Sequence, residues 1–213
     1  MKRSVIIILL LLWPFYLNDF YLIALQNSNL PLLWQLDLVF YFLIPTATLT
    51  VLFLTGRCSL RETGLKSPVT GLCVTGGMFW LAGSIIFFHW LLDPMLAGAI
   101  PGHLFGGYDF PADQPWRFIV IAYASLTGGV LEEVICRGIV TTELKRHIRS
   151  APLVVVLSCA LFAGIHWSEG PARLISTGLW AVIPTIWFLR SGSLWGQMIC
   201  HVGYLLVLYL KLV

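Results

Sequence analysis

Charge is scarce in this chain. Only 11% of its 213 residues are Asp, Glu, Lys or Arg and 58% are hydrophobic, against roughly 25% charged and 45–50% apolar in a soluble globular domain. That excludes a soluble enzyme with a single buried core, and it excludes a disordered tail. Cysteine is sparse too. Cys58, Cys73, Cys136, Cys159 and Cys200 are odd in number and mostly sit in apolar runs, so they read as small buried hydrophobes and not as a disulfide scaffold. No internal repeat, low-complexity tract or linker breaks the chain, and residues 1–213 read as one integral membrane domain. A net charge of +3 gives no sign of a nucleic-acid partner. The partner that composition names is the lipid bilayer.

What the chain has instead is long apolar runs. At about 20 residues per crossing its length holds about six to eight spans. The runs predict an all-α, polytopic transmembrane bundle of about seven spans, near residues 4–25, 30–55, 69–92, 116–140, 151–167, 172–189 and 194–210. Lys2 and Arg3 before the first run have the look of a signal-peptide start, but no small-residue cleavage site follows, so the run counts as a span. The Gly-, Pro- and Asp-rich segment 93–115 predicts a loop outside the bilayer, and 141–150 a basic loop on the other side. With the N-terminus inside, Lys2, Arg3, Arg57, Arg61, Lys66, Lys145, Arg146, Arg149 and Arg190 fall inside and only Arg117, Arg173 and Lys211 outside, as the positive-inside rule requires. Asp93, Asp109, Asp113 and Glu169 then lie outside. Trp116, Trp167 and Trp195 near span ends read as interfacial anchors.

The fourth run carries Glu132, Glu133 and Arg137. Each ionisable group at bilayer depth costs about 2.5–3.5 kcal/mol on insertion scales, so the three must face protein and one another. On a helix Glu133 and Arg137 stand four apart and can pair, whereas Glu132 points about 100° away and is left for another task. Gly128 and Gly129, one turn earlier, admit a close neighbour. His166 ends the fifth run and His201 lies inside the seventh. Helix rises of about 26 Å from Glu132 to a turn near Ser150, and about 22 Å back to His166, bring those two to one level. His201, about ten residues into its helix, reaches a similar depth. A carboxylate and two imidazoles around an intramembrane cavity can activate water and hold a developing oxyanion. His89, His103 and His147, near span ends or in loops, carry no such reading, and Asp19 and Asp37 read as polar contacts or interfacial residues and not as a catalytic dyad.

These motifs resemble the CPBP family of intramembrane proteases, which includes the CaaX prenyl endopeptidases and bacterial Abi-type proteins. Glu132, Glu133 and Arg137 match its E-E-x-x-x-R pattern, Phe162 and His166 its F-x-x-x-H pattern, and His201 its later histidine. The resemblance covers residues 116–210. It implies a membrane-anchored protein or peptide as substrate, a bacterial inner-membrane location, Glu132 as base, Glu133 and Arg137 as its neighbours, and His166 and His201 as the groups that position water and stabilise the oxyanion. The family's final H-x-x-x-N is broken here by Leu205, for which Gln197 or Tyr204 are candidate substitutes. Two histidines, a glutamate and Cys136 or Cys200 would suffice to bind zinc, but H-E-x-x-H is missing and the reading needs no cofactor. G-x-S-x-G and G-x-G-D are missing as well, which disfavours serine and aspartyl intramembrane proteases. Two other functions fit the same residues: a non-enzymatic immunity or regulatory protein that binds a partner, and a small proton-coupled carrier.

Overall fold

A computed structural model describes residues 2–28, 30–102, 110–111 and 113–212. The expected loop residues His103 and Asp109 lie outside them. The described residues form helices and no strand: α1 (Lys2–Leu25), α2 (Leu30–Leu54), α3 (Gly71–Ala99), α4 (Pro115–Lys145), α5 (Ala151–Gly164), α6 (Pro171–Ser191) and α7 (Trp195–Tyr209). The protein is a helical membrane bundle. Five of the helices, all but α5 and α7, are long and apolar enough to cross a membrane. At 14 and 15 residues the other two are about 21–23 Å long, shorter than a hydrocarbon layer of about 30 Å.

Two boundaries differ from expectation. Helix α3 runs on through Asp93 to Ala99 where a loop was expected at once, and α4 continues to Lys145, into the first half of the segment 141–150 expected as a basic loop. The first has a backbone cause. Residues Ser84–Leu92 are wound as a π-helix, and the Asp93 N–H reaches back five residues to the Phe88 carbonyl. The wider turn comes directly before Pro94, whose ring would strike a carbonyl in an ordinary helical turn. Helix α2 repeats the device, with Leu38–Leu43 wound as π and the Ile44 N–H on Val39 O just before Pro45. A proline that reads as a break in sequence is therefore carried inside a span. In α4 the extension is held by an ion pair between Arg146 and Glu143.

Leu11, Phe15, Ile135, Ile139, Val140 and Phe162 form the buried centre, while Leu54, Leu72 and Phe79 lie largely exposed, an arrangement that suits a lipid surround. The segments assigned to the inner side meet at one end of the bundle. Arg3 donates to Arg57 O at 3.4 Å, Ser4 Oγ lies 2.7 Å from His147 Nε2, and Ser67 donates to Gly192 O at 2.8 Å. Arg146 Nη2 donates to Glu62 Oε1 at 2.6 Å, and that hydrogen bond holds the Glu62 carboxyl below the usual carboxylate range.

Helices α4 and α7 approach backbone to backbone at Gly129. A methyl group there would lie 2.6 Å from the Val202 nitrogen and 2.7 Å from its Cα, and a backbone cannot rotate aside. Gly129→Ala is expected to lower stability by about 1–3 kcal/mol through overpacking, read as a drop in thermal unfolding temperature in detergent. Because the same contact sets where His201 stands, the surroundings of that side chain should shift with it.

Candidate active site

The π-winding recurs over Thr127–Val140, the stretch that bears both glutamates and the arginine. Such windings are rare and concentrate at functional sites. Glu132, Glu133 and Arg137 are all buried. The expected pair forms, with Arg137 Nη1 at 3.1 Å from Glu133 Oε1. Phe162 explains its own place beside His166: the Arg137 guanidinium lies 3.6 Å from the centre of its ring and 5.5 Å from that of Trp180, so two aromatic faces cover a buried cation. The same Glu133 oxygen is 2.9 Å from His201 Nδ1.

Glu132 turns the other way. Tyr41 of α2 donates its hydroxyl to Oε1. The second oxygen, Oε2, is buried and has no hydrogen-bond partner among the described residues. His166 Nε2 lies 3.7 Å from it and His201 Nε2 3.9 Å. Glu132, His166 and His201 thus line one cavity of ≈ 190 Å³, together with Tyr41, Gly128, Tyr204 and Leu205. All five residues singled out from sequence stand in one connected group: three around the cavity, with Glu133 and Arg137 behind His201.

Four contributors, Tyr41, Glu169, Arg173 and Asp93, were not singled out from sequence. Tyr41 comes from a span that sequence treated only as a span. Glu169, expected in an outer loop, places Oε1 3.2 Å from His166 Nδ1 and takes Arg173 Nε at 3.0 Å on its other oxygen; Arg173 also reaches Asp93 Oδ2 of α3 at 2.8 Å. The i+3 step from His166 to Glu169 and the i+4 step to Arg173 were the available signal. Of the two expectations for Asp19 of α1, polar contact or interfacial residue, the first holds: it accepts from the Ser168 N–H at 3.1 Å and hydroxyl at 2.7 Å. Asp37 accepts from Asn18 and from Tyr123, both at 3.0 Å.

Gln197 does not replace the family asparagine. It is buried outside the cavity, in a pocket where its amide nitrogen can donate to Ser193 O and Leu194 O at 3.0 and 3.1 Å while its oxygen accepts from Phe188 N–H at 3.2 Å. Leu205 fills the expected place: a methyl group on Gly128 would lie 2.7 Å from Leu205 Cδ1 and 3.5 Å from Glu132 Oε1. Among the described residues no three His, Cys, Asp or Glu side chains are grouped to hold a metal ion, and Cys200 Sγ is 3.8 Å from Ser84 Oγ.

A membrane bundle that buries a carboxylate between two imidazoles, beside a compensated ion pair, is of the class that keeps ionisable chemistry inside the bilayer. Residues 114–207 match the family model described as type II CAAX prenyl endopeptidase Rce1-like, a match that supports a likeness of that stretch to the CPBP family of CAAX proteases. The family is one of proteases, with a membrane-anchored peptide as the kind of substrate it implies. No curated protein and no solved structure matches the chain.

Proposed function

We propose that the chain is a glutamic-type intramembrane endopeptidase that hydrolyses a peptide bond in a membrane-anchored protein or peptide, in a bacterial inner membrane with its N-terminus inside. The observation that carries the reading is Glu132 Oε2, buried and facing two imidazole nitrogens at 3.7 and 3.9 Å. Those separations are too long for direct hydrogen bonds and suit one bridging water. Residues 1–213 act as one domain, since Tyr41, Asp19 and Asp93 lie outside the matched stretch and still contribute to the group around Glu132 and His166.

The steps follow from the donors. A carboxylate only accepts, so His201 Nδ1 beside Glu133 carries a hydrogen, and His201 can donate from Nε2 as well only as an imidazolium. In that form it holds the oxyanion, with Glu133 behind it balancing its charge. Glu132 takes a proton from water as the water oxygen attacks the peptide carbonyl carbon. The tetrahedral intermediate then collapses, the C–N bond breaks, and Glu132 returns the proton to the leaving amine. No metal enters these steps.

Leu205 leaves the oxyanion one donor short of the family pattern. Leu205→Asn is expected to raise kcat about ten- to a hundredfold, since one such donor is worth about 2.7–4 kcal/mol. Gln197→Ala should cost stability and leave turnover per folded molecule close to wild type. Both are measured on one lipid-anchored peptide in proteoliposomes. A Leu205→Asn protein no faster than wild type would mean that the oxyanion is not held beside residue 205.

A further inference from the structure

Each of the two imidazoles carries its own carboxylate. His201 Nδ1 sits 2.9 Å from Glu133 Oε1 and His166 Nδ1 3.2 Å from Glu169 Oε1, while both Nε2 atoms face Glu132. Glu133 belongs to the matched motif. Glu169 does not, and the mechanism above gives it no task. Yet it is the better braced of the two on its outer side. Its other oxygen is held by Arg173 at 3.0 Å, Arg173 is tied to Asp93 of α3 at 2.8 Å, and Asp93 accepts from Ser176 as well. From the opposite side, Asp19 of α1 fixes Ser168, the residue directly before Glu169, through its N–H and its hydroxyl. The short turn after α5 is therefore clamped from α1 and from α3, and the carboxylate at its end points at one ring nitrogen.

We propose that Glu169 is a positioning residue that fixes the neutral His166 ring with its hydrogen on Nδ1 and the bare Nε2 turned toward Glu132. A carboxylate accepts and cannot donate, so the ring nitrogen facing it must carry the hydrogen. Carboxylates at both ring nitrogens favour a second hydrogen, on Nε2; once that proton has left, the one N–H of the neutral imidazole sits on Nδ1 and Nε2 is an acceptor. Water between Glu132 and His166 can then donate one hydrogen to each, which aims its oxygen lone pair away from both and toward a substrate carbonyl. With the hydrogen on Nε2 instead, His166 would donate toward Glu132 and compete with that water for the carboxylate. The consequence for catalysis rests on the proposed function; the tautomer does not.

The test is the imidazole nitrogen NMR spectrum of protein labelled with ¹⁵N-histidine in detergent micelles, with the His166 signals assigned by their loss in His166→Gln. Titrated upward until the His166 ring is neutral, wild type is expected to show hydrogen on Nδ1 of His166 and none on Nε2. Glu169→Gln, whose amide can either accept or donate, should give a mixture of tautomers and lower kcat about 10- to 100-fold with KM unchanged, the size usual for removing a group that orients a histidine. Arg173→Lys loosens the brace and keeps the carboxylate, so it should retain the wild-type tautomer. Hydrogen on Nε2 of the neutral ring in wild type, or identical His166 signals in wild type and Glu169→Gln, would overturn the proposal and leave Glu169 as a strut. If no variant or wild type cleaves any substrate, the proposed protease function fails while the nitrogen spectra still decide the role of Glu169.

Discussion

Glu132→Gln is expected to yield a folded, membrane-inserted protein whose proteolysis is lost by about 10²–10⁴-fold, the contribution of a positioned general base. The substitution keeps shape and removes proton affinity. The carboxamide that replaces the carboxylate can still meet the Tyr41 hydroxyl, so the packing of α2 on α4 should survive and the yield should match wild type. Its other end can no longer take a proton from water between His166 and His201. Cleavage of a lipid-anchored peptide is measured beside thermal unfolding in the same detergent. Equal cleavage by variant and wild type would remove Glu132 as the base.

Arg137→Ala should do the opposite, with its main effect on stability. The guanidinium is fully buried, and removing it strands Glu133 with only His201 as partner and opens the space beneath Phe162. Breaking a buried ion pair by deleting one member costs about 3–5 kcal/mol, a large share of the roughly 5–15 kcal/mol that holds a domain together. Low yield and a strongly reduced unfolding temperature are expected. Arg137→Lys should recover only part, because an ammonium keeps the charge but lacks the planar face that stacks on Phe162. Wild-type yield and unfolding temperature for Arg137→Ala would show that Glu133 is stabilised chiefly by His201.

The contrast between these two outcomes tracks what could be read from sequence. Glu132, Glu133 and Arg137 stood out because three ionisable groups in an apolar run demand partners, and simple helix rises put His166 level with Glu132. Those inferences need only composition and about 1.5 Å per residue. The supporting groups needed the packing of distant helices. Nothing local in Tyr41 says that α2 will bring its hydroxyl to Glu132, and Asp93 reads as a loop residue until the π-turn before Pro94 carries it on in a helix. A π-winding has no compositional mark of its own. Glu169 was the nearest miss, since its spacing from His166 was visible and only its assignment to an outer loop hid it. Gln197 was put on the His201 face by its one-turn spacing, yet it lies outside the cavity with its amide taken up at the end of α6.

The most direct measurement of the central claim is mass spectrometry of a lipid-anchored peptide incubated in H₂¹⁸O with proteoliposomes of the purified protein, under single-turnover conditions. Direct attack by water held at Glu132 predicts two peptide fragments, with one ¹⁸O in the new C-terminal carboxylate, from wild type and none from Glu132→Gln. A new carboxylate without ¹⁸O, whose oxygen would have come from the enzyme through a covalent acyl intermediate, or equal fragments from both proteins, would contradict it.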